Sequence, residues 1–367
     1  MAMQIHTPLT KLLSDFYLPR KWTMKTTSEH VSTDIKVPIV SAPMAFASGA
    51  DLASAVTAAS AFGMIGAGFS SSLELKGLFQ AVRKSLSIPE HAPVPVGIGF
   101  IGWVLDKTES SDDPRIQAIL EEKPVAIWFA FGVDLGKYIA QVRAFDAKRD
   151  HKTIIFVIVN SVEGALQASN EWQVDVIVAQ GIEAGGHGGS EAPPLLSLLQ
   201  AVLLAVPTGP LIVAAGGVST GSQIAALLTM GAAGVVLGTR FLFTTECIYP
   251  PEKKEVLMKA GLSSTTRSLA FDEVGRTMGW PPKHDGRAIA NSIISDVEGG
   301  LNLQERLSKF DESAASGDMS RLIVWAGVGV GLTEKIMSAA VRGLYIWILP
   351  NKSIVLDRKL LTNCPMT

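Results

Sequence analysis

The chain has 367 residues, of which 47% are hydrophobic and 18% are charged, so it can bury a large core and is not a disordered protein. The formal net charge of −2, with no basic stripe, argues against nucleic-acid binding. Cys247 and Cys364 are the two cysteines, too few for a disulfide framework and without a C-x-x-C spacing for zinc. Together with residues 1–20, which lack the apolar stretch of a secretory signal, they predict a reducing, cytoplasmic location.

One apolar stretch, residues 195–215, is long enough to suggest a membrane span. Pro207, Gly209 and Pro210 interrupt it, so a helix, a turn and a buried strand explain it better. The mean hydropathy of +0.30 is high, but buried parallel strands raise it without any membrane. We therefore expect no membrane association.

Short apolar runs alternate with helical stretches along the first two thirds of the chain. Most runs are rich in Val and Ile without polar alternation, as in parallel strands covered on both faces. The eight candidate strands are 38–42, 63–67, 94–98, 125–129, 154–159, 175–179, 211–215 and 234–237. Their starts lie roughly 21 to 36 residues apart, close to the ~30 residues of a βαβ unit. Eight units predict an α/β fold, a (β/α)8 TIM barrel; an open doubly wound sheet is the alternative.

The chain is expected to divide into three parts. Residues 1–243 form the barrel, with helices at 51–61, 73–86, 134–148, 162–172, 193–206 and 221–230. Residues 244–320 are polar, show no further strand rhythm, and predict a smaller, mainly helical insertion over the barrel mouth. Residues 321–367 turn apolar again and are expected to return to the barrel, whereas the tail after Pro350 is either ordered or frayed.

Two glycine-containing loops follow the seventh and eighth predicted strands. Gly216 and Gly217 follow strand seven, ahead of Ser219 or Thr220 as a helix cap, and Gly238 and Thr239 follow strand eight. Barrel enzymes commonly bind phosphate between these two loops, where backbone N–H groups meet the anion. Tight turns without a ligand would explain one such loop, but two in this order favour a phosphate site.

A third glycine-rich loop, after strand six, contains a single histidine. Five glycines, among them Gly185 and Gly186, surround His187, and no bulky neighbour in the sequence shields it. Such a loop lets a flat ring lie against the backbone and leaves His187 free to face the mouth as a general base. A structural histidine is the alternative. Gln180, at the start of this loop, either hydrogen-bonds the edge of a heterocycle or stabilises the loop.

Small and aromatic residues follow the remaining strands. Pro43 and Met44 come after strand one, where a flat ring could stack, although a core methionine is an equal alternative. Four aromatic residues near strands three and four are candidates for an apolar pocket wall or for the core: Phe100, Trp103, Phe129 and Phe131. No His/Asp/Glu cluster has metal-ligand spacing, so no metal is expected, and no Gly-x-Ser-x-Gly elbow is present.

Four segments resemble a known family. Ser41-Ala-Pro-Met44, Gln180-Gly-Ile-Glu-Ala-Gly-Gly-His187, Ala215-Gly-Gly217 and Gly238-Thr-Arg-Phe241 are similar to the nitronate monooxygenases, formerly called 2-nitropropane dioxygenases. The likeness runs over about residues 35–245 and extends to flavin-dependent reductases of enoyl thioesters and quinones. The chain has Gly99 where many members of the family carry Asn.

The resemblance implies a barrel that holds FMN without a covalent bond. It implies that His187 is the catalytic histidine and that Gly216, Gly217, Gly238 and Thr239 hold the phosphate. Pro43, Met44, Gln180, Gly185 and Gly186 complete the predicted cofactor site.

The implied reaction is the oxidation of alkyl nitronates, and of nitroalkanes, by dioxygen to a carbonyl compound and nitrite. Two alternatives stay open: an NAD(P)H-dependent flavin reductase of quinones or enoyl thioesters, and a phosphate-binding barrel without flavin. The expected partners are a small-molecule substrate and dioxygen, and a homodimer is left open.

Overall fold

The computed structural model describes residues 7–15 and 35–339. The tail from residue 340 onward, including the predicted ordered or frayed end, lies outside the described residues, as does most of the N-terminal segment considered for a signal. In chain order the strands are β1 (Ile39–Ser41), β2 (Met64–Gly66), β3 (Val94–Ile101), β4 (Pro124–Ala130), β5 (Ile154–Val159), β6 (Val176–Gln180), β7 (Gly186–Gly189), β8 (Leu211–Ala215), β9 (Gly234–Leu237), β10 (Thr265–Ser268) and β11 (His284–Ile289).

Eight of these strands form one parallel sheet in the order β1-β9-β8-β6-β5-β4-β3-β2. Its two end strands also meet, because Val40 of β1 bridges to Phe62 just before β2, and the Ser41 N–H donates to the Phe62 carbonyl at 2.9 Å. The sheet is therefore a nearly closed barrel. The predicted (β/α)8 fold is confirmed, and every predicted strand matches a barrel strand to within a few residues.

Helices connect the barrel strands and cover their outer face, one helix closes the N-terminal end of the barrel, and further helices follow β9. They are α1 (Pro8–Asp15), α2 (Ala50–Ala58), α3 (Ser72–Leu86), α4 (Gly102–Thr108), α5 (Arg115–Glu121), α6 (Gly136–Asp146), α7 (Val162–Asn170), α8 (Leu195–Ala205), α9 (Gly221–Thr229), α10 (Thr239–Leu242), α11 (Pro251–Met258), α12 (Ala270–Gly275), α13 (Ser292–Glu298) and α14 (Leu303–Ser316). Two 3-10 turns follow, at Met319–Arg321 and Val328–Leu332. The six predicted barrel helices correspond to α2, α3, α6, α7, α8 and α9.

Each barrel strand buries both of its faces. In β5, Ile154 and Phe156 belong to the cluster inside the barrel, whereas Ile155 and Val157 pack in the layer between strands and helices. Successive side chains of a strand point to opposite faces, so burial of both faces requires an uninterrupted apolar run. This explains why the strands could be recognised in the sequence as continuous apolar runs.

Helix α1 closes the N-terminal end of the barrel. Leu9 and Leu13 are fully buried in the interior cluster, and Leu9 packs beside Gly234 at the start of β9. A ligand therefore enters from the opposite end, where the strands finish.

The segment after β9 contains the helices α11–α14 and also two strands, β10 and β11. β10 and β11 pair in antiparallel fashion, and β11 pairs with β7, which lies in the loop after β6. The sequence shows no strand rhythm in this segment. β10 has the sequence Thr-Thr-Arg-Ser and β7 is Gly-His-Gly-Gly, and neither shows the hydrophobic pattern by which a strand is recognised.

No helix in the described ranges is both long and apolar enough to cross a bilayer. The apolar stretch 195–215 divides into α8 and β8 around the turn that contains Pro207 and Pro210.

Candidate active site

The carboxyl ends of the barrel strands surround one cavity, whose empty space is about 1390 Å³ including the open mouth. The ten residues predicted for the site all line it: Pro43, Met44, Gln180, Gly185, Gly186, His187, Gly216, Gly217, Gly238 and Thr239. The sequence thus predicted which residues converge, while their individual roles stay predictions.

The turn after β8 requires glycine at two consecutive positions. Gly216 has a φ of 116° and Gly217 a φ of 69°, both in a region that other residues rarely adopt. A Cβ on Gly217 would also lie 3.0 Å from the Cβ of Glu183 and 3.2 Å from a methyl of Val328. The backbone of this turn is therefore exposed to the cavity without a covering side chain.

Backbone donors are available in both turns. Among the described residues, no hydrogen bond uses the N–H groups of Gly216, Gly217, Gly238 or Thr239. Such half-buried amides need a partner, because an unpaired backbone donor away from water is costly. An anion between the two turns would supply acceptors, which fits the phosphate of a mononucleotide.

The helix after the β8 turn is capped by its own residues. Thr220 and Gln223 form a capping box, and the Gln223 side chain accepts from the N–H groups of Ser219 and Thr220 at 2.8 and 3.0 Å. The predicted cap is thus Thr220. Its hydroxyl accepts from the Gln223 N–H at 3.4 Å, so the protein itself supplies the cap of α9.

Small residues bring backbone and ring atoms close together across the cavity floor. A Cβ on Gly99 would lie 2.4 Å from the Cβ of Pro43, and one on Gly66 would lie 2.5 Å from the backbone of Met44. The absence of Asn at position 99 therefore has a steric cause, because Pro43 occupies that space. This packing fixes the segment that was predicted to face a flat ring.

The Gln180 side chain is already engaged by the protein. Its Oε1 accepts from the Asn160 side chain at 3.0 Å, and its Nε2 donates to the His187 carbonyl at 3.2 Å. Of the two predicted uses, loop stabilisation is the one present, and one amide hydrogen remains for a ligand.

A C-terminal segment joins the two turns. The Gly327 N–H donates to the Thr239 hydroxyl, and the Ser219 hydroxyl donates to the Gly329 carbonyl, each at 2.9 Å. A Cβ on Gly327 would lie 2.7 Å from the Gly185 nitrogen. Residues 327–329 thereby tie the β8 turn, the β9 turn and the histidine strand into one unit.

His187 is shielded, contrary to the expectation that nothing bulky covers it. Its imidazole stacks on the indole of Trp280 with ring centroids 3.4 Å apart and an angle of 9° between the planes. Trp325 contacts it at 4.7 Å between centroids, and the side chain keeps only 10% of its surface exposed. Trp280 lies in the insertion, so a segment remote in sequence supplies the shield.

A buried carboxylate contacts the same histidine. Both oxygens of Asp272 lie 2.9 Å from Nε2 of His187, and the Asp272 side chain is 0% exposed. Asp272 also accepts hydrogen bonds from the Thr277 hydroxyl at 2.8 Å and from the indole N–H of Trp280 at 2.9 Å.

Burial and charge act in opposite directions on the pKa of His187. Burial lowers the pKa below its ordinary value, because desolvation disfavours the imidazolium, and the hydrogen bond and charge of Asp272 only partly offset this. The more distant Arg267 lowers this pKa further and Asp285 raises it. The neutral imidazole is therefore favoured, which is the form a general base requires.

Aromatic rings form one wall of the mouth. The ring centroid of Trp280 lies 5.4 Å from that of Phe131 and 5.5 Å from that of Trp103, and both pairs meet edge to face. Phe100 and Phe129 stack on each other and are fully buried, although Phe100 also reaches the cavity. Of the four candidates, Phe131 and Phe100 line the cavity, whereas Trp103 packs against Trp280 without lining it and Phe129 is buried in the core.

Sequence reasoning missed Asp272, Thr277, Trp280 and Trp325. The conspicuous segment Gly279-Trp280-Pro281-Pro282 was a weak signal for one of them. Asp272 gave none, since it lies 85 positions from His187 and only the antiparallel pairing of β7 with the insertion brings the two together.

A parallel barrel with a histidine-lined cavity at the carboxyl ends of its strands is the architecture of a barrel enzyme. Residues 28–341 match the family model described as nitronate monooxygenase. The chain therefore belongs to the nitronate monooxygenase family and is an oxidoreductase. Enzymes of this family are generally flavin-dependent.

The similar proteins include both a nitronate monooxygenase and a carboxyl-CoA dehydrogenase. The chain is 31% identical over 320 residues to a nitronate monooxygenase of Neurospora crassa, covering 81% of this chain and 84% of the relative. It is 30% identical over 336 residues, 91% of this chain and 80% of the relative, to a hydroxy-methyl-oxo-octahydroindene-carboxyl-CoA dehydrogenase of Mycobacterium tuberculosis. Nitroalkane oxidase from Streptomyces ansochromogenes has a similar structure, with a TM-score of 0.69 at 25% identity over 87% of this chain and 97% of that one.

Proposed function

We propose that this protein binds FMN in the barrel-mouth cavity and oxidises alkyl nitronates with dioxygen to a carbonyl compound and nitrite. In the net balance, two nitronate anions and one dioxygen give two carbonyl compounds and two nitrite ions. The observation that carries the proposal is that the buried imidazole of His187 lines the same cavity as two turns with unused amides.

The residues present fit a mononucleotide. The N–H groups of Gly216, Gly217, Gly238 and Thr239 would hold the phosphate, and Pro43 and Met44 would lie along the ring. The bound flavin would supply the electron-transfer and dioxygen chemistry.

His187 would control the proton. As a neutral imidazole it accepts the α-proton of a neutral nitroalkane and so forms the nitronate; as an imidazolium it holds a nitronate anion. The low exposure of the ring and its lowered pKa support the first role. The aromatic wall excludes water from the reacting carbon and favours apolar substituents.

A second function has support from one relative. The similarity to a carboxyl-CoA dehydrogenase favours, as the alternative, a flavin reductase or dehydrogenase that acts on a thioester and uses NAD(P)H. The alternative would use the same fold and cavity, with a different substrate beside the same cofactor site.

The experiment is a pair of measurements on the purified protein. The visible spectrum identifies the bound chromophore, and nitrite release in air is then measured with preformed nitronate. Nitrite formation without added NAD(P)H is expected. Rapid anaerobic bleaching by NAD(P)H, with no nitrite in air, would instead establish the alternative, and a colourless protein that binds no FMN would contradict both.

A further inference from the structure

We propose that Asp272 is a positioning residue that holds His187 with its proton on Nε2 and leaves Nδ1 as the basic atom toward the substrate. This proposal rests on the proposed function, in which His187 removes a proton.

The hydrogen-bond chemistry allows one assignment of the proton. An ionised carboxylate only accepts hydrogen bonds, so Nε2, which faces both oxygens of Asp272 at 2.9 Å, must be the donor. A neutral imidazole carries one N–H, and Nδ1 is then a lone pair. Among the described residues no group hydrogen-bonds Nδ1, and the ring lines the cavity.

The carboxylate is itself held in place from the other side. Thr277 and the Trp280 indole donate to the same oxygen, Oδ1, at 2.8 and 2.9 Å. Three donors therefore fix an Asp272 side chain that has no access to solvent. An acceptor locked in this way cannot follow a rotation of the imidazole.

Trp280 restrains the imidazole a second time. Its indole plane lies parallel to the His187 ring at 3.4 Å, while its N–H binds the carboxylate that the ring also binds. The imidazole, the carboxylate and the indole therefore each contact the other two. A flip of the ring by 180° would keep the stack but would remove the Nε2 donor from Asp272.

The transfer of the α-proton from the nitroalkane to His187 accounts for every atom and electron pair. The C–H electron pair of the nitroalkane stays on the substrate as the nitronate, and the proton moves to Nδ1. The resulting imidazolium donates from Nε2 to Asp272, whose negative charge stabilises it. The same arrangement of base and orienting carboxylate operates in hydrolytic triads, where replacing Asp by Asn favours the wrong tautomer.

Asp272→Asn tests the assignment with an almost isosteric side chain. An Asn amide would donate to Nε2 and place the proton on Nδ1, so kcat/KM for neutral nitroalkane should fall about 100- to 10,000-fold. Turnover of preformed nitronate needs no proton removal and should change by less than about tenfold. The flavin spectrum should be retained, and Asp311→Asn, which disrupts an exposed ion pair with Arg276, is the matched control and should leave both activities unchanged.

A measurement that does not depend on activity separates this proposal from the proposed function. Nitrogen NMR of the histidine-labelled wild-type protein should show His187 as the Nε2–H tautomer. Asp272→Asn should lower the pKa of His187 in a pH titration, because Asp272 raises it in the wild type. A wild-type protein that oxidises neither substrate would refute the proposed function, whereas NMR would still determine the tautomer of His187.

Two results would overturn the proposal. One is a wild-type His187 with its proton on Nδ1; the other is a folded, flavin-containing Asp272→Asn protein that keeps its activity on neutral nitroalkane within about threefold. If Asp272→Asn does not fold, Trp280→Phe keeps a smaller aromatic ring beside His187 and removes the N–H donor to Asp272. That variant should then lose activity on nitroalkane more than on nitronate, and an equal loss on both would contradict the proposal.

Discussion

His187 is placed where its surroundings favour the neutral ring at physiological pH. Burial against Trp280 and Trp325 lowers its pKa, and the contact with Asp272 compensates only in part. The same carboxylate would stabilise the cation once a proton has been taken up. A base in this position is therefore unprotonated before the reaction, and its protonated form is stabilised by the carboxylate after it.

The rate of reaction with neutral nitroalkane should depend on the protonation state of His187. The pKa of His187 is lowered from 6.5, so the neutral form is present above the lowered value and is lost as the pH falls through it. We expect kcat/KM for neutral nitroalkane to be constant near pH 7 and to decrease only below pH 6.5. Initial rates of nitrite release across the pH range check this. A profile that titrates above the ordinary histidine value would contradict the direction of the shift.

Gly99 should tolerate no side chain. Because a Cβ there would overlap Pro43, Gly99→Ala should destabilise the protein by about 1–3 kcal/mol and reduce its flavin content. The control is Gly77→Ala on the exposed side of α3, where a Cβ meets nothing within 4 Å and should stabilise by about 0.5–1 kcal/mol. Thermal unfolding and the visible spectrum measure both effects; equal behaviour of the two variants would be inconsistent with close packing at Pro43.

At the scale of elements, the β8 turn and the β9 turn are adjacent because their strands are neighbours in the sheet. Residues 327–329 hydrogen-bond both turns and also the Glu183 carbonyl, in the loop that leads to β7. A change in one turn is therefore expected to affect cofactor binding more than the stability of the barrel.

Gly217→Ala should weaken FMN binding at least tenfold, since it adds a methyl group and backbone strain of about 1–2 kcal/mol at a turn that would contact the phosphate. Gly231→Ala is the matched control. Gly231 has a φ of 110° and follows α9, but a Cβ there meets only Leu203. It should lower stability and leave the FMN dissociation constant unchanged. Fluorescence titration with FMN distinguishes the two, and similar affinities would argue against a phosphate at the β8 turn.

The barrel strands could be predicted because burial on both faces leaves continuous Val and Ile runs such as β5. The turns and His187 could be located because they follow those strands directly. β7, β10 and β11 could not, since glycine and polar residues carry no strand pattern. Asp272 and Trp280 depend on that pairing, so the half of the site contributed by the insertion was not visible in the sequence.

At the scale of the whole molecule, the barrel and the insertion meet at the cavity. The barrel supplies the β8 turn, the β9 turn and β7, while the insertion supplies Asp272, Trp280 and the strand β11 that pairs with β7. A ligand in this cavity contacts both parts and should stabilise them together.

Addition of FMN to the flavin-free protein should raise Tm by several degrees, because a free ligand at about 100 times its Kd contributes about 2.7 kcal/mol. Riboflavin, which lacks the phosphate, should give a clearly smaller shift at the same concentration. Equal shifts for the two flavins would mean that the unused amides of the turns do not bind the phosphate.

The most direct test of the account is the activity of His187→Asn on two forms of one substrate. With the imidazole removed, kcat/KM for the neutral nitroalkane should fall about 100- to 10,000-fold, while preformed nitronate should lose much less. Equal losses for both forms, in a variant that keeps its flavin spectrum, would show that His187 is not the base.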